Sequence, residues 1–285
     1  MQAYTYSRNA ASVRRLLPTR ARDAHKYDAG RVLSICGSLR FPGAAVLAAR
    51  GAVAAGAGLV EAAFPQAAYS AIAPQLTEPV LLPLPCNQQG HLAKAALPEL
   101  LAACQKADAV LLGCGLGQSL DTAYLVPQLV RECPVPLILD ADALTLIARD
   151  TSVLRTRTAP TILTPHAGEM ARLTGAPVGK SAAERLAVAH DFAAAFGVTL
   201  VLKGAGTLVA QGTRRAVYRN TTGNPGMATA GCGDLLAGMI LAYLGQGLLP
   251  RHAAECAVYV HGYWGDRAER RVGMRGVTAA RCFAQ

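Results

Sequence analysis

The segment Asn220-Thr-Thr-Gly-Asn-Pro-Gly-Met-Ala-Thr-Ala-Gly-Cys-Gly-Asp234 precedes a strongly apolar stretch, Leu235–Gln246, that is predicted to be a helix. Gly231 and Gly233 allow the backbone to turn tightly and to approach a ligand. The helix that follows presents free amide groups and the positive end of its dipole. Such a turn can bind an anion, in particular the charge that develops on a transferring phosphoryl group. Asp234 lies in the first turn, where it is either a helix cap or a functional carboxylate.

Short apolar runs alternate with helical patterns along the rest of the chain. The predicted strands are Val32–Cys36, Leu59–Ala63, Val80–Leu84, Ala109–Leu112, Leu137–Leu139, Thr161–Leu163, Thr199–Leu202, Leu208–Ala210 and Ala216–Tyr218. The predicted helices are Gly43–Ala55, Leu92–Lys106, Ala123–Glu132, Asp142–Ala148, Gly168–Thr174, Ala182–Phe196, Leu235–Gln246 and Arg251–Arg270. Continuous apolar strands are typical of a parallel sheet that is buried on both faces. The pattern predicts a three-layer α/β/α fold with a central, mostly parallel sheet, in which the last two strands form a hairpin at one edge.

The composition limits the class of protein. The chain has 285 residues, of which 52% are hydrophobic and 16% are charged, and this balance excludes a disordered chain. No linker or internal repeat divides it, so we expect an N-terminal arm over residues 1–24 and one domain over residues 25–285. The formal charge is +10, and residues 1–31 hold seven basic against two acidic residues. No basic stripe with interleaved aromatic residues is visible, so we expect no nucleic-acid partner.

Membrane insertion and an extracellular disulfide framework are not predicted. The longest small-apolar stretch, Ala44–Phe64, is interrupted by Arg50 and Glu61 and consists largely of alanine. The eight cysteines include no C-x-x-C pair and no zinc-like spacing with histidine. They are scattered through apolar segments, as in proteins of a reducing compartment. We therefore expect a cytoplasmic protein without a membrane partner.

Polar and glycine-rich segments follow several of the predicted strands. These segments are Gly37–Ser38, Gly113–Gly117, Asp140–Asp142, Thr164–Glu169 and Lys203–Thr207. In open α/β sheets, ligands bind outside the carboxyl ends of the strands. Their convergence at one end of the sheet predicts a ligand site there.

Each of these segments also has a purely structural interpretation. Lys203–Thr207 could cradle nucleotide phosphates or be an ordinary glycine-rich hairpin turn. His166 follows a strand end, where a histidine is more often a structural hydrogen-bonding group than a ligand. Asp140 and Asp142 could bind a metal as a pair, but Asp142 is equally a helix N-cap, and both stay outside the predicted catalytic set. Gly113-Cys-Gly-Leu-Gly117 begins like a dinucleotide fingerprint with a misplaced third glycine, and it does not predict hydride transfer.

Seven segments together resemble one family. The string Asn224-Pro-Gly-Met-Ala-Thr-Ala-Gly-Cys-Gly-Asp-Leu-Leu-Ala-Gly238 resembles the NAD(P)H-hydrate dehydratase branch of the ribokinase-like superfamily. The further matches are Gly37-Ser-Leu-Arg-Phe-Pro-Gly-Ala-Ala45, Ala55-Gly-Ala-Gly-Leu-Val60, Gly113-Cys-Gly-Leu-Gly117, Leu139-Asp-Ala-Asp-Ala-Leu144, Leu163-Thr-Pro-His-Ala-Gly-Glu169 and Val201-Leu-Lys-Gly204. Three positions depart from the family, which usually has threonine at Cys232, glycine at Ala230 and proline at Cys114. Only some thirty residues precede the first predicted strand, so we expect no fused upstream epimerase domain.

The resemblance implies a role for particular residues. It implies that Asp234 is the catalytic base and that the backbone of Gly231, Cys232 and Gly233 forms an anion hole. It implies that the substrate contacts Ala44, Gly117, His166 and Asp234. It implies that the nucleotide contacts Lys203, Gly204, Ala205, Gly206, Thr207 and Gly233. Glu169 is expected to cap the next helix and, as in related kinases, to help organise the metal site through water; the metal ligands are not assigned.

The resemblance also implies an activity. It is the ADP-dependent dehydration of (6S)-NADHX and NADPHX to NADH and NADPH, with release of AMP and phosphate and with Mg²⁺ as cofactor. The partners are then these small molecules, and a homo-oligomer, possibly a tetramer, is expected. Two alternatives stay open. One is a ribokinase-like kinase for a small vitamin precursor, which the long lead-in Asn220–Ala230 and Thr164-Pro-His166 disfavour. The other is a non-catalytic nucleotide-binding sensor, which the presence of Asp234 disfavours.

Overall fold

The structure, a computed structural model, describes residues 3–212 and 214–283. Its strands are β1 (Tyr4–Tyr6), β2 (Arg31–Ile35), β3 (Leu59–Pro65), β4 (Val80–Leu84), β5 (Ala109–Leu112), β6 (Leu137–Leu139), β7 (Thr161–Leu163), β8 (Thr199–Leu202), β9 (Leu208–Gln211) and β10 (Ala216–Arg219). Its helices are α1 (Ala10–Leu16), α2 (Pro42–Ala54), α3 (Tyr69–Ile72), α4 (Leu97–Cys104), α5 (Leu120–Glu132), α6 (Asp142–Ile147), α7 (Ala167–Thr174), α8 (Ala182–Phe196), α9 (Cys232–Gly245), α10 (Pro250–Val272) and α11 (Ala279–Phe283).

One sheet runs through the molecule in the strand order β1-β10-β9-β8-β7-β6-β5-β2-β3-β4. Every neighbouring pair is parallel except β8–β9 and β9–β10. Buried residues of α2, α9 and α10 form the apolar core on one face, and those of α4 to α8 form the core on the other. The predicted three-layer fold with a mostly parallel sheet is therefore confirmed. Among the described helices, none has the length and apolar character needed to cross a bilayer.

The N-terminal segment differs from the expected arm. Tyr4–Tyr6 forms strand β1, which pairs with β10, so the hairpin of β9 and β10 does not end the sheet as predicted. Glu255 of α10, which is fully buried, binds the side chains of Tyr6, Arg8 and Arg251. A buried carboxylate requires such partners, and these contacts fasten the segment to the domain. A strand of three residues carries too little apolar pattern to be predicted.

Helices α4, α5 and α9 begin three or more residues from their predicted starts. Helix α5 begins at Leu120 rather than Ala123, with Ser119 as its N-cap. The predicted helix Leu92–Lys106 is a 3₁₀ turn at Lys94–Ala96 followed by α4, because Pro98 fits only the first turn of a helix. Helix α9 begins at Cys232 rather than Leu235, since Gly231 adopts a φ of +88° and acts as its N-cap. Cys232, Gly233 and Asp234 therefore lie within the first turn of this helix.

Close packing of α9 against α2 fixes the position of that turn. A Cβ atom added at Gly51 would lie 2.5 Å from the Leu235 carbonyl oxygen, and one added at Gly238 would lie 2.0 Å from the Ala48 carbonyl oxygen. Only glycine lets the two helix backbones approach this closely. The N-terminus of α9 is thereby held against the carboxyl ends of the central strands.

Candidate active site

The carboxyl ends of four neighbouring strands, β5 to β8, meet the N-terminus of α9. Cys114 follows β5, Asp140 follows β6, Thr164 follows β7 and Lys203 follows β8. These residues are far apart in the sequence but adjacent in the sheet order. The predicted convergence of polar strand ends is thus observed.

Asp140 is the centre of the polar network in this cleft. Its side chain is 1% exposed, and its Oδ1 accepts hydrogen bonds from Thr164 Oγ1 and from Lys203 Nζ, each at 2.7 Å. Its Oδ2 lies 3.4 Å from Cys114 Sγ, which donates to it. Three donors compensate the burial of one carboxylate. Sequence reasoning left Asp140 out of the catalytic set because it weighed the residue only as a metal ligand paired with Asp142.

Asp142 does not share this network. Its Oδ2 accepts from the amide of Gly117 and its Oδ1 from the side chain of Gln118, both at 2.8 Å. The residue between the two carboxylates, Ala141, has a φ of +49° and is the N-cap of α6. A non-glycine residue in that region costs about 1–3 kcal/mol and is found where the surroundings enforce it. Here the strained residue separates Asp140, which binds Lys203, from Asp142, which positions the loop that contains Gly117.

Lys203 lies between two buried carboxylates. Its Nζ is 2.7 Å from Asp140 Oδ1 and 3.9 Å from Glu169 Oε2. Burial acts to lower the pKa of Lys203, but the two carboxylates outweigh it and hold this pKa above its ordinary value. A Cβ atom added at Gly233 would lie 3.4 Å from the same Nζ. The amino group of Lys203 is therefore protonated, and it lies beside the turn at the start of α9.

Asp234 has the acid–base properties of a general base. Burial and the negative charge of Asp140 raise the pKa of Asp234 to about 7, while Lys203 and a hydrogen bond from Cys114 act against this rise. A base whose pKa lies near the operating pH is the most effective in proton transfer. The amide groups of Gly233 and Asp234, as the first of a helix, have no acceptor within α9. A carboxylate of near-neutral pKa thus stands beside free amide donors.

Cys232 stands where the family usually has threonine, and its side chain belongs to the apolar core. It is 6% exposed and lies in the core cluster that also contains Cys282. Its amide donates to the Thr229 carbonyl oxygen at 3.4 Å, a long hydrogen bond. The backbone arrangement at the start of α9 therefore does not depend on a threonine hydroxyl.

His166 has a structural role in this structure. It is the N-cap of α7, and its Nδ1 accepts from the amides of Gly168 at 3.0 Å and Glu169 at 3.4 Å. Glu169 completes the capping box by accepting from the His166 amide at 2.8 Å, so the predicted cap is observed. Because Nδ1 accepts, the neutral ring carries its proton on Nε2. The side chain is 54% exposed, so a ligand can reach it.

The segment Lys203–Thr207 forms the turn between β8 and β9. Thr207 Oγ1 donates to the Gly204 carbonyl oxygen at 2.9 Å, which closes the turn. Added Cβ atoms at Gly204 and Gly206 would lie 3.1 Å from a nitrogen of Arg185 and 3.0 Å from Nε of Arg219. Two guanidinium groups therefore flank the turn, and guanidinium groups bind phosphate strongly. Sequence reasoning missed both, because Arg185 lies on α8 and Arg219 on β10.

The predicted substrate positions Ala44 and Gly117 lie beside closely packed glycine backbone. A Cβ atom added at Gly115 would lie 2.7 Å from Ala44 Cβ, and one added at Gly117 would lie 2.4 Å from His91 Nε2. Gly117 has a φ of +82°, which favours glycine independently of the space. The structure therefore explains the glycines at positions 115 and 117 and assigns no ligand to Ala44 or Gly117.

The long lead-in to α9 is fastened to α10. Asp266 accepts from the amide of Gly223 at 3.0 Å and from Asn224 Nδ2 at 3.3 Å. Thr222 Oγ1 donates to the Tyr259 carbonyl oxygen at 2.8 Å. These contacts hold the lead-in in one conformation and so help to position Gly231 and Asp234.

The charge of the cleft suits a hard divalent cation. The cleft contains four carboxylates, those of Asp140, Asp142, Glu169 and Asp234. The ammonium group of Lys203 forms ion pairs with two of them, Asp140 and Glu169. Mg²⁺ prefers oxygen ligands and usually keeps several waters while it contacts one or two carboxylates and substrate phosphates. The residues present fit this cation.

Comparison with known proteins identifies the family. A family model described as NAD(P)H-hydrate dehydratase matches residues 32–285. The chain belongs to the NAD(P)H-hydrate dehydratase family. It is 44% identical over 270 residues to the bifunctional NAD(P)H-hydrate repair enzyme Nnr of Moorella thermoacetica, a match that covers 95% of this chain and 51% of that protein. The chain thus spans about half the length of the bifunctional repair enzymes that it matches.

A second relative matches over nearly its whole length. The ADP-dependent (S)-NAD(P)H-hydrate dehydratase of Xanthomonas campestris is 36% identical over 275 residues, which are 94% of this chain and 91% of that protein. The ADP/ATP-dependent NAD(P)H-hydrate dehydratase of Bacillus subtilis, co-crystallized with ATP and Mg²⁺, has a TM-score of 0.78 and 31% identity, covering 96% of this chain and 93% of that one. A ribokinase-like protein of Enterococcus faecalis has a TM-score of 0.82 at 25% identity and covers 98% and 93%. The resemblance stated from the motifs is confirmed.

Proposed function

We propose that the chain catalyses the ADP-dependent dehydration of (6S)-NADHX and NADPHX to NADH and NADPH. The observation that carries the proposal is Asp234, a carboxylate with a pKa of about 7 in the first turn of a helix whose amides are free to bind an anion. The names of the family and of the Xanthomonas campestris relative support the same activity. The use of ADP rather than ATP rests on the likeness to this bacterial branch.

The first step is phosphoryl transfer. Hydroxide is a poor leaving group, so the hydroxyl group of the hydrated nicotinamide ring must first be activated. Asp234 accepts the hydroxyl proton while the oxygen attacks the terminal phosphorus of ADP, and AMP leaves. The amides at the start of α9 donate to the phosphoryl oxygens, and Lys203 adds a positive charge beside Gly233.

The second step is elimination. Phosphate leaves from the ring carbon, expelled by the lone pair of the ring nitrogen, and loss of a ring proton restores the dihydronicotinamide. Phosphate leaves with the electron pair of the broken carbon–oxygen bond. The net reaction converts the hydrate and ADP into NAD(P)H, AMP and phosphate. The low exposure of Asp140 and Cys114 limits water in this part of the cleft.

The nucleotide and the metal ion belong at the same edge of the cleft. Arg185 and Arg219 beside the turn Lys203–Thr207 favour nucleotide phosphates there. Glu169 would help to hold Mg²⁺ there, and the ion would supply positive charge to the phosphates. A homo-oligomer and a cytoplasmic location are further parts of the proposal that rest on the resemblance and composition. The reaction itself is tested by measuring the products from hydrate, ADP and Mg²⁺.

Replacement of His166 tests the position of the hydrated ring. His166→Ala is expected to raise KM for the hydrate by about fivefold to tenfold, the value of one hydrogen bond, with little change in KM for ADP. Because His166 also caps α7, His166→Asn is the matched control: asparagine is a good N-cap but lacks Nε2. We expect His166→Asn to keep the thermal stability and to share the higher KM. Wild-type kinetics of His166→Asn, or a rise confined to ADP, would remove His166 from the substrate site.

A further inference from the structure

One sulfur and two carboxylates meet at the base of the cleft. Cys114, Asp140 and Asp234 each direct one ligand atom into a group whose members all lie within 4.8 Å of one another. Cys114 Sγ is 3.4 Å from Asp140 Oδ2, and it lies within 4.8 Å of a carboxylate oxygen of Asp234. Cys114 and Asp140 are buried, and Asp234 is partly accessible. The family usually has proline where Cys114 stands, so the sulfur is a feature of this chain.

The spacing agrees with the edge of a tetrahedral metal site. Zinc binds sulfur at about 2.3 Å and carboxylate oxygen at about 2.0–2.2 Å, so two such ligands in a tetrahedron lie about 3.6 Å apart. The observed distance between Cys114 Sγ and Asp140 Oδ2 is 3.4 Å. Three atoms within 4.8 Å of one another can all lie within about 2.8 Å of one point, so small movements bring all three to bonding distance.

The other carboxylate oxygen of Asp140, Oδ1, already has two hydrogen-bond donors. Lys203 Nζ and Thr164 Oγ1 both bind Oδ1, and this leaves Oδ2 directed at Cys114. A cation bound to Oδ2 therefore replaces the thiol hydrogen and does not require Lys203 to leave. On binding, the thiol loses its proton to solvent and the sulfur donates an electron pair to the metal.

The sulfur decides which cation is preferred. Mg²⁺ takes oxygen ligands and is poorly served by a thiolate, whereas Zn²⁺ and Co²⁺ accept mixed sulfur and oxygen ligands. We propose that Cys114, Asp140 and Asp234 form a site for a thiophilic divalent cation such as Zn²⁺, distinct from the Mg²⁺ that accompanies the nucleotide. Occupancy of this site withdraws Asp234 from proton transfer and inhibits turnover. The inhibition, but not the binding, rests on the proposed function.

Titration of the full chain with Co²⁺ in the absence of nucleotide tests the site. A bond from thiolate to Co²⁺ gives an intense near-ultraviolet absorption band, which we expect to saturate at one equivalent. Zn²⁺ is expected to abolish the band by displacement, and Mg²⁺ in large excess is expected to leave it. Cys114→Ser should abolish the band and weaken binding at least tenfold. Cys86→Ser is the matched control, because Cys86 is the half-buried thiol among eight cysteines of which the others are buried, and it should leave the band intact.

A second variant keeps the test decisive if Cys114→Ser does not fold. Asp234→Asn retains the sulfur and should keep the band while requiring at least tenfold more Co²⁺. Absence of a band in the wild type, or a band that Cys114→Ser leaves unchanged and Cys86→Ser removes, would overturn the proposal. These readouts need no turnover, so they do not depend on the proposed reaction. Where the wild type turns over, Zn²⁺ should inhibit it at one equivalent and inhibit Cys114→Ser much less; equal inhibition would refute the inhibitory role.

Discussion

Replacement of Asp234 by asparagine is expected to lower kcat by about 10²–10⁴-fold, the usual contribution of a general base. Asparagine has nearly the same shape but cannot accept the hydroxyl proton. The backbone amides at the start of α9 and the flanking Arg185 and Arg219 remain, so ADP should still bind. Steady-state kinetics and a direct ADP titration measure the two effects separately. A folded variant with near-normal turnover would leave Asp234 as a helix cap only.

The pH dependence of the wild type follows from the same residue. Burial raises the pKa of Asp234 to about 7, and the base must be ionised to accept a proton. We therefore expect kcat/KM to rise with pH through about 7 and to level off above it. Residual activity of Asp234→Asn should lack this rise. A wild-type profile that is flat between pH 5 and pH 9 would contradict the assignment.

The substitution Asp234→Asn should also increase the free energy of unfolding at high pH. The pKa of Asp234 is raised from 3.8 to about 7, so the folded state holds this proton more tightly than the unfolded state. The associated stability is fully present below pH 3.8 and is lost as pH rises through about 7. The asparagine side chain does not titrate and carries no such loss, so the variant should gain about 2–4 kcal/mol in unfolding free energy at pH 8 relative to the wild type. Urea unfolding at pH 4 and pH 8 measures the difference, which should nearly vanish at pH 4.

Replacement of Lys203 by methionine is expected to lower both the stability of the protein and its affinity for ADP. Methionine keeps most of the side-chain volume but leaves Asp140, which is 1% exposed, without its ammonium partner. Breaking a buried ion pair from one side costs about 3–5 kcal/mol, so the midpoint of urea unfolding should fall accordingly. Loss of the positive charge beside Gly233 should also raise KM for ADP roughly tenfold or more. The KM for the hydrate should change less.

A double variant separates the two effects. Lys203→Met with Asp140→Asn removes both charges, so most of the lost stability should return while the KM for ADP stays high. Recovery of ADP affinity together with stability would show that Lys203 acts only through Asp140. An unchanged unfolding midpoint in Lys203→Met would contradict the buried ion pair itself.

Much of the fold was predictable because its signals are local. The short apolar strands β5 to β8 and the helix Ala182–Phe196 lie where the sequence places them, since each combines an apolar pattern with a clear turn or cap. Strand β1 was not predictable, because it pairs with the distant strand β10 and its Tyr6 binds Glu255, which is 249 residues away. The start of α9 at Cys232 depends on the conformation of Gly231, which a helix pattern alone does not reveal.

The site shows the same division. Asp234, Lys203 and Gly233 were named from motifs, and the structure places the ammonium group of Lys203 close to Gly233. The role of Asp140 was missed because it depends on its contacts with Thr164 and Lys203, which follow other strands of the sheet. Arg185 and Arg219 were missed since they approach the nucleotide turn from other elements. A basic residue on each element that flanks a predicted phosphate loop is the signal that could have pointed to them.

The most direct test of the account is the product balance of a single reaction. Purified hydrate, ADP and Mg²⁺ are incubated with the protein, while the near-ultraviolet absorbance of dihydronicotinamide, free phosphate and AMP are measured together. We predict that the three appear in equal amounts and that Asp234→Asn forms them at least about 10²-fold more slowly. A phosphorylated small molecule that accumulates without free phosphate would contradict dehydration and identify a kinase that uses the same base.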